Sequence, residues 1–573
     1  MIKPPPTAFG GTLRAVIFDL DGTLVDTADE FVPVVQTLRM EHGRGPMDPA
    51  RIRASVSNGA RALVSLGLDM PEDAPDFERN RLRLLELYGE VLGTMASPYP
   101  GIESLLAQLQ AQGVVAGDRV LLINENCVPL LVIILALSEL DAWPVVINAR
   151  MAAAEIEKIR SHCEPRLALY LFDSTAARAQ WQALAANTAE SASGILDMAD
   201  GEVGVLRYAV NPDPTDEQQQ LIGQGVFTLI YTTGTTGDPK GVMLTHTNVL
   251  YVAAVSGALR GLTADDRIYL VLPVSHVFGL SAVFLASIYA GAELVVADRF
   301  DPALAMRVMR EQKISGVFGV PAMFAKLVDY AREKGLRPDE IPALRFMYSG
   351  GAPLDPAIKT KTEKLFGRPL LNGYGMTESG PTICQVRYNE PLESCSVGRP
   401  LPGLDIRLLD PHGRPVASGE VGELHIRGPN IMLGYYRNPQ ATAAAMDKEG
   451  YLNTGDLVRQ DEDGALHIAG RSKELIIHSG FNVYPPEVEG VISKHPEVLL
   501  CAVVGQEVAG NEEVVAFIQR TAGSLLTEAE LRGFIKPLLT AYKRPSKIVF
   551  MDVLPTAPSG KVLKHKLKNG VSA

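Results

Sequence analysis

Thr228-Leu229-Ile230-Tyr231 runs into Thr232-Thr233-Gly234-Thr235-Thr236-Gly237-Asp238-Pro239-Lys240-Gly241, an apolar strand delivering a loop of hydroxyls, glycines and one lysine. Glycines let a backbone approach an anion closely, hydroxyls and amides donate to phosphate oxygens, and a lysine adds a point charge. A polyphosphate fits such a loop. The spacing from Gly234 to Lys240 is G-x-x-G-x-x-K with no Ser or Thr after the lysine, so it is not the Walker arrangement of P-loop NTPases.

Outward from this loop the pattern is α/β. From Val114, short apolar strands alternate with amphipathic helices: Arg119 to Ile123, a helix from Pro129 to Leu140, then Pro144 to Asn148. The alternation is expected to continue to about Arg471, where Arg471-Ser472-Lys473-Glu474 precedes a smaller strand-and-helix region with a basic tail. Before Val114, a strand from Ala15 to Phe18 is followed by charged, helically spaced sequence from about Asp29 to Leu92. Three segments are therefore expected: 1–113, 114–471 and 472–573.

The chain of 573 residues, 46% hydrophobic and 21% charged, is long enough for several cores. Its 54 basic and 66 acidic side chains leave a net charge of -12, the wrong sign for a whole-chain nucleic-acid or anionic-membrane binder. Cys127, Cys163, Cys384, Cys395 and Cys501 are scattered and contain no C-x-x-C pair. The N-terminus has no signal-like apolar stretch, and the most apolar run, Val128 to Leu137, is too short for a membrane span. A soluble cytoplasmic protein acting on a small molecule is expected; oligomeric state is not legible.

The full string Thr232 to Gly241 closely resembles the phosphate signature of the adenylate-forming superfamily, which holds acyl-CoA synthetases, aryl-CoA ligases, luciferases and peptide-synthetase adenylation domains. The resemblance recurs in order from about Val114 to Leu567. Leu272-Pro273-Val274-Ser275-His276-Val277-Phe278-Gly279 is similar to the histidine-aromatic motif beside the acyl pocket. Ser349-Gly350-Gly351-Ala352-Pro353-Leu354 and Asn372-Gly373-Tyr374-Gly375-Met376-Thr377-Glu378 resemble the adenine segments. Thr454-Gly455-Asp456 resembles the ribose turn, and Gly470-Arg471-Ser472-Lys473-Glu474 the ribose contact plus inter-domain hinge. Ser479-Gly480-Phe481-Asn482-Val483 resembles the thiol-acceptor loop, and Pro558-Ser559-Gly560-Lys561 carries the family's catalytic lysine.

The resemblance implies a large α/β adenylation domain followed by a small, mobile α+β C-terminal domain, with ATP, Mg2+ and coenzyme A as cofactors. It implies that Lys240 and Lys561 neutralise the approach of a carboxylate to the α-phosphorus, that Glu378 holds Mg2+, and that Thr377 donates to the α-phosphate. Asp456 is an acceptor suited to two ribose hydroxyls, Arg471 can reach the same sugar, and Tyr374 offers a flat face to adenine. His276 lies at the acyl pocket with Val274, Phe278, Phe324 and Gly350. Lys473 is the implied hinge about which Lys561 withdraws and the Ser479-Gly480-Phe481 loop arrives. The tail from Ala541 carries seven Lys/Arg against Asp552 alone, which suits either CoA phosphates or plain solvation.

Phe18-Asp19-Leu20-Asp21-Gly22-Thr23 resembles the first motif of haloacid-dehalogenase-like phosphatases, particularly phosphoglycolate phosphatases. There Asp19 corresponds to the nucleophile and Asp21 to the general acid/base, and the stretch to Leu92 to a helical cap. After Gly113 the phosphatase pattern stops, with no following lysine or metal-binding acidic pair in order. The segment is therefore expected to be catalytically inert, a partial phosphatase-like strand and cap. The ligase's own leading segment is also missing, and the amphipathic helix Ile102 to Gln112 stands in its place.

An ATP-dependent acid:CoA ligase is the leading expectation. Apolar residues at the pocket motifs favour a medium or long fatty acid, with an aryl acid second. The alternatives are a bifunctional chain with phosphatase activity, transfer to a carrier protein instead of CoA, and an inert fusion.

Overall fold

Strand Arg119–Asn124, RVLLIN, is buried at all six positions, as a strand covered on both faces of a parallel sheet should be. The computed structural model describes residues 25–26, 28–53, 55, 59–71, 73–91, 97–98, 102–186, 193–198, 201–208, 216–233, 239–336, 341, 343–478, 481–508, 511–521, 523–555 and 562–570. The chain divides into two units, 1–299 with 432–436, and 300–431 with 437–573. The expected strand Ala15 to Phe18, with Asp19 and Asp21, lies outside the described residues.

In the first unit, helices Ala28–Glu41, Pro49–Arg53, Gly59–Leu68 and Phe77–Val91 close around Val35, Leu38, Ile52, Val64 and Leu84. These four helices have an apolar core of their own, as their periodicity predicts. Strand Arg119–Asn124 pairs in parallel with Trp143–Asn148 on one side and Leu167–Leu171 on the other. Gly201–Arg207 and Ser193–Met198 then extend the sheet antiparallel, to give five strands. Helix Val128–Glu139 begins one residue before the expected Pro129, because proline at the second position of a helix has no amide to satisfy.

Helix Ile102–Ala111 belongs to this sheet region in its contacts. It packs against helix Val128–Glu139, Leu109 is fully buried, and Arg207 Nε donates to Gln112 Oε1 at 2.7 Å just past its end.

The second unit opens with three αβ steps. Strands Gly316–Gly319, Phe346–Ser349 and Leu370–Gly375 run parallel, separated by helices Pro321–Lys334 and Pro356–Phe366. Proline heads both helices and helix Pro302–Glu311 as well. Asp301 and Asp355 cap two of them through backbone amides at 2.7 Å. The α/β alternation expected to reach Arg471 stops sooner. Asp405–Leu409, Val421–Arg427, Leu452–Gln460 and Leu466–Arg471 form an antiparallel sheet. Short turns favour hairpins here: the last two strands are closed by Asp461 donating its amide to Ala465 O at 2.9 Å, too short a link for a helical crossover.

Past Ile476, residues Ile476, Val488, Val503, Val514, Ile518 and Leu531 form a separate apolar cluster. Helices Pro485–Ile492 and Glu528–Ile535 cover the sheet Val498–Val508, Asn511–Arg520 and Lys547–Met551. This is a small α+β body, as the sequence predicts.

Candidate active site

Asp456 is the centre of a polar cluster in the second unit. It sits on strand Leu452–Gln460 directly opposite Arg471 on strand Leu466–Arg471. Arg471 Nε lies 2.9 Å from its Oδ1, and Tyr374 donates its hydroxyl hydrogen to Oδ2 at 2.5 Å. The Asp456 amide donates to Thr454 Oγ1 at 3.1 Å. Each carboxylate oxygen has a second lone pair, so the buried group can still accept from the two hydroxyls of a ribose. Burial, then the adjacent Asp456 charge and its hydrogen bond, push the Tyr374 hydroxyl well above its ordinary pKa. The residue is half-buried, and its hydroxyl is committed to Asp456.

Tyr374 ends strand Leu370–Gly375, which then tightens into the single turn Thr377–Ser379. Gly375 is required there: a Cβ would fall 1.6 Å from Pro381 O. Met376 N–H donates to Ser379 Oγ at 3.0 Å. Thr377 and Glu378 are both buried. Asn372 turns its amide nitrogen to Cys395 O at 3.1 Å, and its Oδ1 is buried without a hydrogen-bond partner, an acceptor available to an amino group. Gly373 lies under the Tyr348 ring. Gly350, Gly351, Ala352 and Pro353 follow the buried strand end Ser349, with Gly351 at φ 77°.

In the first unit, strand Val226–Thr233 runs two residues past the expected end at Tyr231, and Pro239–Thr245 returns beside it. Register pairs Thr232 with Lys240 and Thr233 with Pro239. Lys240 is therefore on a strand rather than in the loop. The ladder continues because Lys240 and Gly241 find backbone partners in Thr232 and Tyr231. Lys240 Nζ stands 5.0 Å from the centroid of the Tyr435 ring. Gly234, Thr235, Thr236 and Gly237 lie outside the described residues, as does the Thr233 side chain.

Also in the first unit, Val274 and Phe278 are buried. Asn126 fixes the start of this segment from both sides: its Nδ2 donates to Leu272 O at 2.9 Å, and its Oδ1 accepts from the Val274 amide at 3.0 Å. His276 Nδ1 accepts from the Phe278 amide at 3.2 Å, which places the proton of the neutral ring on Nε2. The residue is exposed, yet surrounding protein lowers its pKa by desolvation and favours the neutral form. From here the chain coils as a buried π-helix, Phe278–Leu285. Gly279 admits the turn, since a Cβ would sit 2.3 Å from Pro273 O. In the second unit, Phe324 is buried against Gly319, where a Cβ would lie 3.1 Å from its ring.

Lys473 is exposed in the single turn Ser472–Glu474. Phe481 is exposed and stacked on Tyr542, with centroids 4.7 Å apart. Lys561, Ser479 and Gly480 lie outside the described residues. No cluster of three or more His, Cys, Asp or Glu that could enclose a metal occurs among the described residues. Glu378 offers a buried carboxylate, an oxygen donor of the kind that would suit a hard cation such as Mg2+.

Sequence reasoning missed three positioning residues. Asn430, fully buried, donates to Ser379 O at 2.9 Å and to Thr382 O at 2.8 Å, pinning the Thr377–Ser379 turn. Asn126 and Tyr435 are the others. Their sequence signal was an asparagine two residues after the strand RVLLIN and a Gly-Tyr-Tyr string without hydrophobic periodicity; neither indicates a distant partner.

Residues 102–436 match the AMP-binding enzyme family, residues 487–561 its C-terminal domain, and residues 16–117 the haloacid dehalogenase-like hydrolase family. A feruloyl-CoA synthase of Amycolatopsis sp is 32% identical over 466 residues, covering 80% of this chain and 90% of that protein. 4-coumarate–CoA ligase 3 of Oryza sativa subsp. japonica is 32% identical over 479 residues, 82% and 85% of the two chains. The crystal structure of ATP-bound MatB from Rhodopseudomonas palustris superposes with a TM-score of 0.71 at 28% identity, covering 83% and 93%. The o-succinylbenzoate CoA synthetase of Bacillus subtilis, solved with its acyl-adenylate, gives 0.67 at 26% identity, covering 82% and 92%.

Proposed function

This chain belongs to the AMP-binding enzyme family and is an adenylate-forming acid:CoA ligase, and from that premise we propose that its acid is an aryl acid of the hydroxycinnamate kind. The observation that carries the choice is the pair of relatives named for feruloyl and 4-coumaroyl thioesters, which match over at least four-fifths of this chain. The buried Val274, Val277 and Phe278 suit a flat ring as well as an alkyl tail. The fatty-acid expectation, which rested on those apolar residues alone, therefore yields to the aryl acid.

In the first half-reaction an acid carboxylate oxygen forms a bond to the α-phosphorus of ATP as the bond to pyrophosphate breaks. Asp456 and Arg471 hold the ribose, the Tyr374 ring stacks on adenine, and the Oδ1 of Asn372 accepts from the exocyclic amine. Thr377 donates to the α-phosphate. Thr232 and Lys240 on the strand pair serve the phosphates with the intervening Gly234, Thr235, Thr236 and Gly237, and Lys561 adds positive charge where the carboxylate attacks. Glu378 is the residue that would hold Mg2+, which would supply further charge neutralisation to the polyphosphate. Neutral His276 presents its Nε2–H at the acyl side. In the second half-reaction the CoA sulfur forms the thioester bond at the acyl carbon and AMP leaves, after rotation at Lys473 brings the Ser479-Gly480-Phe481 loop into place.

We assign no phosphatase activity to the leading segment. The phosphatase match ends at residue 117, and residues 102–117 are shared with the ligase match. No helix among the described residues is long and apolar enough to cross a membrane, and all five cysteines are free thiols, which supports a cytoplasmic location.

The test is pyrophosphate release with MgATP over ferulate, 4-coumarate, benzoate, octanoate and palmitate, with and without CoA, beside Lys561→Ala. Aryl acids should lead, give thioester only with CoA, and lose rate in the variant. Octanoate or palmitate leading would overturn the aryl assignment; release without thioester would point to a carrier-protein acceptor.

A further inference from the structure

The C-terminal body contains an ion cluster with no place in the scheme above. Lys564 Nζ lies 2.9 Å from Glu474 Oε2 and 2.8 Å from Glu489 Oε1. Its side chain is 19% exposed, so water screens the contacts weakly. Burial alone would pull the Lys564 pKa down, but the charges and hydrogen bonds of Glu489 and Glu474 outweigh it and hold the ammonium above its ordinary range.

The two carboxylates have different footings. Glu489, on helix Pro485–Ile492, also accepts the Val503 amide at 2.7 Å, which fixes it to the sheet. Glu474 stands in the single turn Ser472–Glu474, next to Lys473. Lys564 in turn follows Leu563, whose amide donates to Pro555 O at 2.8 Å. That bond joins the two flanks of segment 556–561, which includes Lys561. One ammonium thus connects the sheet, the turn beside Lys473 and the base of the segment carrying Lys561.

We propose that Lys564 is a positioning residue for adenylation: through Glu474 it fastens Leu563 and Lys564, at the flank of segment 556–561, to the turn at Lys473. The proposal rests on reading Lys561 as the adenylation lysine and Lys473 as the hinge. A lysine suits the task, because its three donors can serve two carboxylates that would otherwise repel each other.

The full-length protein is compared with its Lys564→Met, Lys564→Arg, Glu474→Gln and Lys561→Ala variants in both half-reactions. These are pyrophosphate release with ferulate and MgATP, and thioester formation from supplied feruloyl-adenylate and CoA. Glu474→Gln keeps the Lys564–Glu489 pair and guards against a folding failure in Lys564→Met. Both should lose adenylation rate by about tenfold or more with KM for ATP little changed, since a misplaced group costs rate rather than binding. Thioester formation should stay within about twofold, and Lys564→Arg should recover most of the loss. Hydrogen exchange at the Leu563 amide should speed up in Glu474→Gln, a readout independent of activity.

Wild-type adenylation in Glu474→Gln and Lys564→Met, while Lys561→Ala is dead, would overturn the proposal and leave the Lys561 reading standing. An equal fall in both half-reactions would reduce the cluster to fold stability. Normal adenylation by Lys561→Ala would remove the underlying reading, and this inference with it.

Discussion

Tyr374 and Asp456 are 82 residues apart in the chain, and a 2.5 Å hydrogen bond joins them. The tyrosine hydroxyl fills one lone pair of the carboxylate that Arg471 approaches from the other side. On the proposed reading of Asp456 as the ribose acceptor, these two contacts orient its carboxylate for the nucleotide. Tyr374→Phe keeps the ring and leaves a buried charged acceptor short of one donor. KM for ATP in pyrophosphate exchange should rise about tenfold, about 1.4 kcal/mol, with a smaller change in turnover. An unchanged KM would show that the phenol does not orient Asp456.

Asn430 should matter without touching substrate. Asn430→Ala removes two donors to the buried carbonyls of Ser379 and Thr382, a loss of about 2 kcal/mol. The expected result is a lower melting temperature together with weaker adenylation, because Thr377 and Glu378 ride on the same turn. A stability loss with full adenylation would separate the turn from the chemistry.

Gly279→Ala places a Cβ against the backbone oxygens of Pro273 and Leu272, which cannot move aside as a flexible side chain would. Strain there should distort the segment Val274 to Phe278. Acid-dependent pyrophosphate release should fall by about a hundredfold, measured beside a thermal scan that reports how much fold is lost.

His246 gives a pH signature. Burial holds its pKa below the ordinary 6.5, although Asp141 pulls the other way, and its ring centroid lies 5.2 Å from that of Phe227. The unfolded chain binds the proton more readily than the folded one, so stability rises with pH across this window. It is fully present above the ordinary value and is lost as pH falls through the lower folded value. Denaturant midpoints between pH 7.5 and 5 should therefore drop more in the wild type than in His246→Gln; parallel curves would exclude the effect.

The leading segment can be tested by trimming. A chain beginning at Glu103 keeps nearly all of helix Ile102–Ala111, with buried Leu109 and the Arg207 contact at Gln112. It should stay soluble and ligate. A chain beginning at Val114 should aggregate, since it uncovers the apolar surface of helix Val128–Glu139. Equal behaviour of the two would mean that the helix is dispensable. Asp19→Asn should leave ligation untouched.

Much of this protein was determined by local order in its sequence. Apolar strings such as Val120 to Ile123 could only be buried strands, proline after Asp301 and Asp355 set helix starts, and the run of motifs from Thr232 to Glu378 carried the family. These signals act within a few residues, through hydrophobic burial, backbone restriction and capping. The tertiary structure decided the rest. It extended the strand through Thr233 and placed Lys240 beside Thr232, because the returning strand supplied the ladder. It turned the chain after Gln385 into antiparallel hairpins. It also brought Asn430 to Ser379, Asn126 to Leu272, and Lys564 to Glu474 and Glu489. Such contacts depend on long-range closure, where the partner of a polar side chain is whatever buried group the fold leaves within three ångströms, and no periodicity along the chain encodes that.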